Sequence, residues 1–248
     1  MKGLLEAKVA VVTGGCRGIG AAIALRFAEH GASVVVADVD LGEAPALLER
    51  LRGLGVPAEG VRLDVADIAD IRNQCAAIVR QFGRIDVWVN NAGISQSAPI
   101  EDIEGDDWDR IMAVDLRGTF FCSQAAFRVM KRQGGGRIVN IASLAGERGG
   151  KFAGAHYSAA KAGVIMLTKC FAQSGGEYRI GVNAIAPGLI ETRMAAALGF
   201  LGVDPADIPL QRLGTPGDVA DAALYLASGL SDYVTGMTID VNGGVYMR

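Results

Sequence analysis

A tyrosine and a lysine lie four residues apart in the stretch GAHYSAAKAG, at Tyr157 and Lys161. If this stretch is helical, the two side chains lie one turn apart on the same face. A phenol titrates near pH ~10, and a neighbouring ammonium group favours its ionised form. The pair can therefore take or give a proton, as general acid–base catalysis requires. The same spacing is also common on solvated helix faces, so the rest of the chain must decide between the two interpretations.

A glycine-rich turn follows the first apolar run of the chain. Residues 8–13 (KVAVVT) are typical of a strand buried on both faces, and residues 13–20 (TGGCRGIG) lead from it into a helical pattern. Glycines at Gly14, Gly18 and Gly20 let the backbone approach a pyrophosphate closely, which the helix N-terminus attracts. The turn predicts a phosphate-binding site, and a tight turn without a ligand is the alternative.

A carboxylate ends the second predicted strand, residues 33–38 (SVVVAD). Asp38 can accept hydrogen bonds from both hydroxyls of an adenosine ribose, and it repels a 2′-phosphate. Arg17 in the glycine turn argues for NADP instead, because its guanidinium could bind that phosphate. A charge in contact with the ribose excludes the phosphate directly, so the sequence favours NAD as cofactor over NADP.

Strands and helices alternate along the whole chain. Further strands are predicted at residues 60–63, 85–90, 137–141, 180–185 and 237–241, and helices at 21–30, 42–54, 68–82, 106–133, around Tyr157, and at 216–227. This alternation predicts an α/β fold with a doubly wound parallel sheet of about seven strands and helices on both faces. We expect a single domain over residues 1–248, with a substrate lid at about 189–213 in the only long irregular segment.

Composition argues against several classes of protein. The 248 residues carry a formal net charge of −3 without a long run of one sign, which does not indicate a nucleic-acid surface. No segment approaches the ~20 apolar residues of a membrane span, and residues 1–6 lack a signal peptide's apolar stretch. The 4 cysteines lack CxxC spacing and the 2 histidines make a metal cluster unexpected. We expect a cytoplasmic chain with free thiols, mostly buried, and without nucleic-acid, membrane or metal partners.

Taken in order, these motifs resemble the classical short-chain dehydrogenase/reductase family over essentially the whole chain. Besides TGGCRGIG and YSAAK, the matching residues are Asp64-Val65, Asn90-Asn91-Ala92-Gly93, Ser143, Pro187-Gly188 and Thr192, each after a predicted strand. The resemblance implies a Rossmann fold, a nicotinamide cofactor, hydride transfer to or from a small molecule, and commonly a homotetramer.

The resemblance also implies a role for each matching residue. Ser143 would hold the substrate oxygen, Tyr157 would exchange the hydroxyl proton, and Lys161 would bind the nicotinamide ribose and lower the phenol pKa. Asp64 and Val65 would contact adenine. The other residues implied to bind the cofactor are Gly14, Arg17, Gly18, Ile19, Gly20, Asp38, Asn90, Ala92, Gly93, Tyr157, Lys161, Pro187, Gly188, Ile190 and Thr192.

One position departs from the family pattern. Residues 114–118 (VDLRG) carry Asp115 where the family has a catalytic asparagine, which is thought to hold a water that links the lysine to bulk solvent. A carboxylate could still accept from that water and could pair with Lys161. Pairing would neutralise part of the positive field at Tyr157, so that its pKa falls less. We keep Asp115 among the catalytic residues and expect an active enzyme with an alkaline-shifted optimum for alcohol oxidation.

The substrate is less well defined by the sequence. The predicted lid is mostly apolar, which indicates a small or moderately hydrophobic substrate; its apolar residues include Met194, Leu198, Phe200, Leu201 and Ile208. Gln96, His156 and Arg148 could add polar contacts, and His156 is more readily a pocket wall than a second base. A helix-pair interface of a tetramer is predicted from Phe121, Cys122, Ala126, Ala162 and Met166.

The sequence predicts an NAD(H)-dependent oxidoreductase that interconverts a secondary alcohol (a polyol, sugar or similar small hydroxy compound) and its ketone. One alternative is a 3-oxoacyl-thioester reductase acting on acyl carrier protein or coenzyme A esters, a role that usually favours NADPH and against which Asp38 argues. Another alternative is a cofactor-binding regulatory or scaffold protein, with Asp115 marking weakened catalysis. The presence of Ser143, Tyr157 and Lys161 argues against a scaffold.

Overall fold

The computed structural model describes residues 3–150, 153–199 and 202–247. Phe200 and Leu201 of the predicted lid lie outside the described residues. Among the helices in those three ranges, none is long and apolar enough to cross a bilayer. All four cysteines are free thiols; Cys170 is exposed and the other three are buried, as predicted.

Seven strands form one parallel sheet in the part of the chain that the structure describes. The strands are β1 Val9–Thr13, β2 Ser33–Asp38, β3 Ala58–Arg62, β4 Val87–Asn90, β5 Gly136–Ile141, β6 Ile180–Pro187 and β7 Thr238–Val241. Their order is β3-β2-β1-β4-β5-β6-β7, and every pairing is parallel. The order reverses between β1 and β4, so the carboxyl ends of these strands flank a crevice of the kind that binds nucleotides. The predicted doubly wound sheet is confirmed.

Helices cover both faces of this sheet. They are α1 Gly18–Glu29, α2 Ala44–Gly53, α3 Ile68–Phe82, α4 Gly105–Ile111, α5 Thr119–Gln133, α6 Ala145–Arg148, α7 Ala155–Gly175, α8 Arg193–Ala197 and α9 Pro216–Ala227. Helices α1, α2 and α9 pack on one face, and α3, α5 and α7 on the other. Alternate residues of β1 divide between these layers, because Ala10 and Val12 join the first and Val11 the second.

The predicted long helix at 106–133 is wrong in its middle. Helix α4 ends at Ile111, the segment Met112–Gly118 is a π-helix, and α5 begins at Thr119. A π-helical turn takes an extra residue and is common at functional sites, but apolar periodicity does not reveal it. Gly118 lies against a neighbouring loop, where an added Cβ would be 2.7 Å from the backbone oxygen of Val65. The π-helix carries Asp115, which is fully buried.

The predicted helix-pair interface is only partly on the surface. Cys122 and Ala126 are buried in the core beneath α5, and Phe121 packs partly against the same core. Ala162 is exposed, and Met166 is 56% exposed on the outer face of α7. A stripe of small and apolar residues on a helix can be covered by the sheet or by a second subunit, and the sequence pattern does not distinguish the two. Cys122 and Ala126 were therefore assigned to the surface although they face the core.

Candidate active site

A cavity of about 960 Å³ opens at the carboxyl ends of the strands. It is lined by most of the predicted site residues, namely Gly14, Arg17, Gly18, Ile19, Asp38, Asp64, Val65, Ala92, Gly93, Asp115, Ser143, Tyr157, Lys161, Pro187, Gly188, Ile190 and Thr192. Residues separated by up to 178 positions in sequence thus share one wall. Lid residues Met194 and Leu198 also line it.

The glycine turn between β1 and α1 has the close packing that a pyrophosphate site needs. Gly14 has a φ of 59°, and an added Cβ there would lie 2.8 Å from the Cα of Ala92. Gly20 lies under the turn rather than on the cavity wall, because an added Cβ would be 2.2 Å from the oxygen of Gly14. Within the described residues no side chain caps α1, so its first N–H groups remain free for an anion. These residues fit a dinucleotide.

Asp38 lies at the end of β2 on the same wall and is 6% exposed. One carboxylate oxygen accepts from the backbone N–H of Cys16 at 3.1 Å, and the other from that of Asp40 at 3.2 Å. A carboxylate has about four acceptor sites, so two such bonds orient it and leave capacity for ribose hydroxyls.

The catalytic side chains come from β5, α7 and the π-helix. Tyr157 and Lys161 lie on successive turns of α7, with the Lys161 Nζ 5.6 Å from the Tyr157 ring centre. Lys161 donates to the backbone oxygen of Ile141 at 3.1 Å, and its Nζ lies 3.1 Å from the Oδ2 of Asp115. Ser143 follows β5, accepts a hydrogen bond from the backbone N–H of Ala145 at 3.1 Å, and acts to lower the pKa of Tyr157. The predicted pairing of Asp115 with Lys161 is therefore present.

Asp115 is fixed in this place by the loop after β4. Its Oδ1 accepts from the backbone N–H of Ile94 at 2.9 Å. A Cβ at Gly93 would lie 3.0 Å from Asp115 Oδ2 and 3.3 Å from Lys161 Nζ, so the pair needs a glycine beside it. The π-helix, this loop and α7 thus hold the two buried charged side chains together. We call these two residues the Asp115–Lys161 pair.

Burial dominates the proton affinities of this site. Burial raises the pKa of Tyr157, Lys161 acts to lower it, and the carboxylate of Asp115 adds to the rise. Burial is the largest single influence on the pKa of Lys161 and acts to lower it, but the negative charges of Asp115 and Tyr157 and the hydrogen bond to Asp115 together leave that pKa above its usual value. Burial raises the pKa of Asp115 against the attraction of Lys161. Lys161 therefore acts on the phenol in the expected direction, but burial outweighs its effect and leaves the pKa of Tyr157 above its usual value.

A second cavity of about 620 Å³ meets the first at Ser143, Pro187 and Gly188. Arg148 and Ile208 both line it. Among the described residues, the rest of its lining is Leu144, Ala145, Gly149, Gly150, Ala153, Leu189, Gly202, Val203, Asp204, Asp207 and Val245. Since Ser143 lies on both walls, a molecule in this cavity can reach the Ser143 hydroxyl.

Three predicted contacts lie elsewhere. Asn90 is buried behind the cavity wall, where its amide donates to Ser123 and Asn140. Gln96 accepts a hydrogen bond from Arg110 at the surface. His156 is fully buried, and its ring packs so closely on Gly154 that an added Cβ there would lie 2.4 Å from the ring. These are corrections to the predicted cofactor and substrate contacts.

A neighbouring asparagine was missed. Asn91 lines the cavity and donates from its Nδ2 to the backbone oxygens of Thr13 and Gly14, at 3.0 and 2.8 Å. The Thr13 hydroxyl accepts in return from the N–H groups of Asn91 and Ala92. These bonds tie the end of β4 to the glycine turn. The motif NNAG predicts an asparagine at the cavity, but spacing alone does not say whether Asn90 or Asn91 faces it.

Comparisons with known proteins agree with this geometry. Residues 14–246 match a family model described as enoyl-(acyl carrier protein) reductase. An uncharacterized short-chain type dehydrogenase/reductase of Sinorhizobium fredii is 43% identical, over 99% of this chain and 100% of that protein. A 3-oxoacyl-(acyl-carrier-protein) reductase of Thermotoga maritima is 40% identical, over 97% and 98%. A gluconate 5-dehydrogenase from Burkholderia cenocepacia, solved with NADP and tartrate, superposes with a TM-score of 0.91 at 38% identity, over 97% and 96% of the two chains.

Proposed function

The chain belongs to the classical short-chain dehydrogenase/reductase family, and from that premise we propose that it interconverts a secondary alcohol and its ketone with NAD(H). The observation that carries the proposal is one continuous wall with Ser143, Tyr157 and Lys161 at one end and Asp38 at the other. The proposed substrates are small hydroxy compounds such as polyols and sugars.

The proposed chemistry assigns each side chain one task. When bound, the nicotinamide would exchange a hydride with the substrate carbon. Ser143 donates a hydrogen bond to the substrate oxygen, and the Tyr157 hydroxyl takes the substrate's proton in oxidation and returns it in reduction. Lys161, held protonated beside Asp115, places its positive charge next to the phenol, where it favours the phenolate.

The preference for NAD(H) rests on Asp38. Its carboxylate is fixed on the cavity wall by two backbone N–H groups and would repel a 2′-phosphate. The gluconate 5-dehydrogenase that resembles this chain was solved with NADP, so kinship alone does not favour NAD. The physical argument is the charge of Asp38.

The second cavity supports a small hydroxy compound as substrate. Its wall combines apolar groups such as Leu189 and Ile208 with the charged side chains of Arg148 and Asp207, which suits a compact molecule with several hydroxyl groups. The name of the gluconate relative points in the same direction. We propose that the segment 189–213, which lines both cavities, is the substrate lid of a single-domain chain.

The first experiment is a titration of the protein with NADH and with NADPH, followed by an assay of a polyol and sugar panel with NAD⁺. We expect NADPH to bind at least about tenfold more weakly than NADH, since an uncompensated charge contact costs more than ~1.4 kcal/mol. Preference for NADPH together with turnover of a 3-oxoacyl thioester would instead establish the acyl reductase alternative.

We also propose that the chain assembles as a homotetramer in the cytoplasm. The exposed Ala162 and Met166 on α7 support one interface, since an exposed large apolar side chain beside a small one suits helix pairing. Sedimentation at micromolar concentration tests it, and a monomer alone would refute it.

A further inference from the structure

Two guanidinium groups converge on one glutamate at the nucleotide end of the first cavity. Glu43 immediately precedes α2, Arg17 precedes α1, and Arg193 begins α8. The Nη1 of Arg193 donates to the Oε1 of Glu43 at 2.6 Å. The Nη1 of Arg17 lies 3.9 Å from the same oxygen and 3.8 Å from the Oδ2 of Asp40. We call these four residues the Glu43 cluster.

The cluster lies on the wall that carries Asp38. Arg17, Glu43 and Arg193 all line the cavity with Asp38, and Asp40 donates its backbone N–H to the Asp38 carboxylate. The nucleotide end therefore presents carboxylates that act in two different ways. The carboxylate of Asp38 accepts from backbone N–H groups, whereas the carboxylates of Glu43 and Asp40 lie within ion-pair distance of Arg17.

A 2′-phosphate in this region would need a cation. Charge-assisted hydrogen bonds from arginine are the usual means of holding a phosphate, and they are strongest when the guanidinium has no competing carboxylate. Arg17 is the side chain of the glycine turn that could supply them, and it is 51% exposed, so it can reach solvent or a ligand. In this structure it faces two carboxylates instead.

We propose that Glu43 is a determinant of cofactor specificity: its carboxylate, like that of Asp40, lies within ion-pair distance of the Arg17 guanidinium and so competes with a 2′-phosphate for this cation. Arg193 fixes the carboxylate of Glu43 in place through the short hydrogen bond. This inference rests on the proposed use of NAD(H) and deepens it. Asp38 repels the phosphate of NADPH, and Glu43 removes the compensating attraction.

The expected effect is moderate, because these ion pairs are half-exposed and screened by water. Glu43→Gln leaves Arg17 facing Asp40 alone, and Asp38 still repels the phosphate. We expect NADPH to bind roughly threefold more tightly to Glu43→Gln than to the wild type, and NADH affinity to stay unchanged.

Calorimetric titration of both cofactors against wild type and Glu43→Gln is the test, since it reads binding without turnover. Glu29→Gln is the matched control: Glu29 is similarly exposed at 49%, pairs with Arg26 at 3.4 Å, and lies on the far end of α1. It removes the same charge from the same type of ion pair and is expected to leave both affinities unchanged.

The double variant Arg17→Gln/Glu43→Gln identifies the group that is released. The gain in NADPH affinity should disappear in it, because the guanidinium that meets the phosphate is gone. An equal change for NADH and NADPH in Glu43→Gln, or a gain that survives the loss of Arg17, overturns the proposal.

A different comparison shows whether the proposed NAD(H) preference itself is wrong. It would appear as tighter binding of NADPH than of NADH by the wild type itself. The inference about Glu43 concerns only the ratio of NADPH affinities between variant and wild type, and an unchanged ratio refutes it whatever the wild type prefers.

Discussion

Two buried polar clusters share β5 and α7 but differ in charge. One is the Asp115–Lys161 pair, in which Lys161 also donates to the strand. The other is neutral: Asn90 donates to Asn140, and Asn140 donates to Thr168 on α7. All of these side chains are at most 5% exposed. The charged cluster reaches the cavity wall, whereas the neutral one is enclosed by the sheet and its helices.

The difference indicates what each cluster is for. Neutral amides and hydroxyls satisfy one another, so the Asn140 network fastens β4 and β5 to the helices without an uncompensated charge. Both members of a buried ion pair lose their hydration, so a protein in which well-packed apolar residues replace the pair is often as stable or more stable. A charged pair at a cavity therefore indicates chemistry rather than stability.

The largest expected effect comes from removing one member of the charged pair. Lys161→Met leaves Asp115 buried without a counter-charge, which should destabilise the protein by about 3–5 kcal/mol and abolish turnover. The double variant Asp115→Leu/Lys161→Met should recover most of that stability but no activity. Urea unfolding of the three proteins measures this. A double variant as unstable as the single one would mean that the pair is structural.

Removing a member of the neutral network should lower the stability of the protein but leave catalysis unchanged. Asn140→Ala leaves one amide donor of Asn90 without its partner and should cost about 1–3 kcal/mol. Because no member of the network lines the cavity within the described residues, the kcat of the folded protein should be unchanged. The exposed Asn73→Ala, on α3, is the control and should be neutral. A fall in kcat with Asn140→Ala would erase the distinction between the clusters.

The charge of Asp115 should appear in the pH profile. Alcohol oxidation needs the phenolate of Tyr157, so its rate rises with pH through the Tyr157 pKa, which burial and Asp115 raise. Asp115→Asn removes one of these causes, and the rising limb of kcat/KM should move to lower pH.

The control for this shift is Asp86→Asn. Asp86 is another buried, ion-paired carboxylate, but it pairs with Arg84 and Lys8 away from the cavity. Its removal should leave the pH profile in place. An unchanged profile in Asp115→Asn would show that the carboxylate does not act on the phenol.

An exposed charged pair gives the smallest effect. Hydrogen bonds from Arg212 and Thr215 hold the pKa of Asp218 below its usual range, and its carboxylate closes a capping box at α9. Asp218→Asn should cost about 0.5–1 kcal/mol at pH 7. Because the pKa is lower in the folded state, this stabilisation is present above pH ~4 and is lost as pH falls. Urea midpoints at pH 7 and pH 3 measure it, and a pH-independent difference would contradict it.

Local signals explain which parts of the fold could be predicted. The bounds of α3 and α9 agree with the predicted 68–82 and 216–227, because Asp67 and Thr215 cap their N-termini through side chains that the sequence displays. The π-helix around Asp115 could not be predicted, since apolar periodicity does not reveal its extra residue and the close approach of Gly118 to the loop after β3 is a tertiary contact.

In the site, too, local sequence signals could be predicted and tertiary packing could not. Residues at strand ends, such as Asp38 and Ser143, were predicted to contact cofactor or substrate, and both line the cavity. Asn90, Gln96 and His156 were misplaced because the direction of a side chain depends on tertiary packing, which motif spacing does not encode. The Glu43 cluster was missed for that reason too, since Arg193 is 150 residues from Glu43.

The most direct test of the central claim compares wild type and Tyr157→Phe in the same NADH titration and alcohol oxidation assay. The variant keeps the ring but removes the hydroxyl group that moves the proton. We expect kcat to fall by about 10²–10⁴-fold while NADH binding changes by less than about threefold. Undiminished turnover in Tyr157→Phe would contradict the catalytic role of the Ser143–Tyr157–Lys161 site.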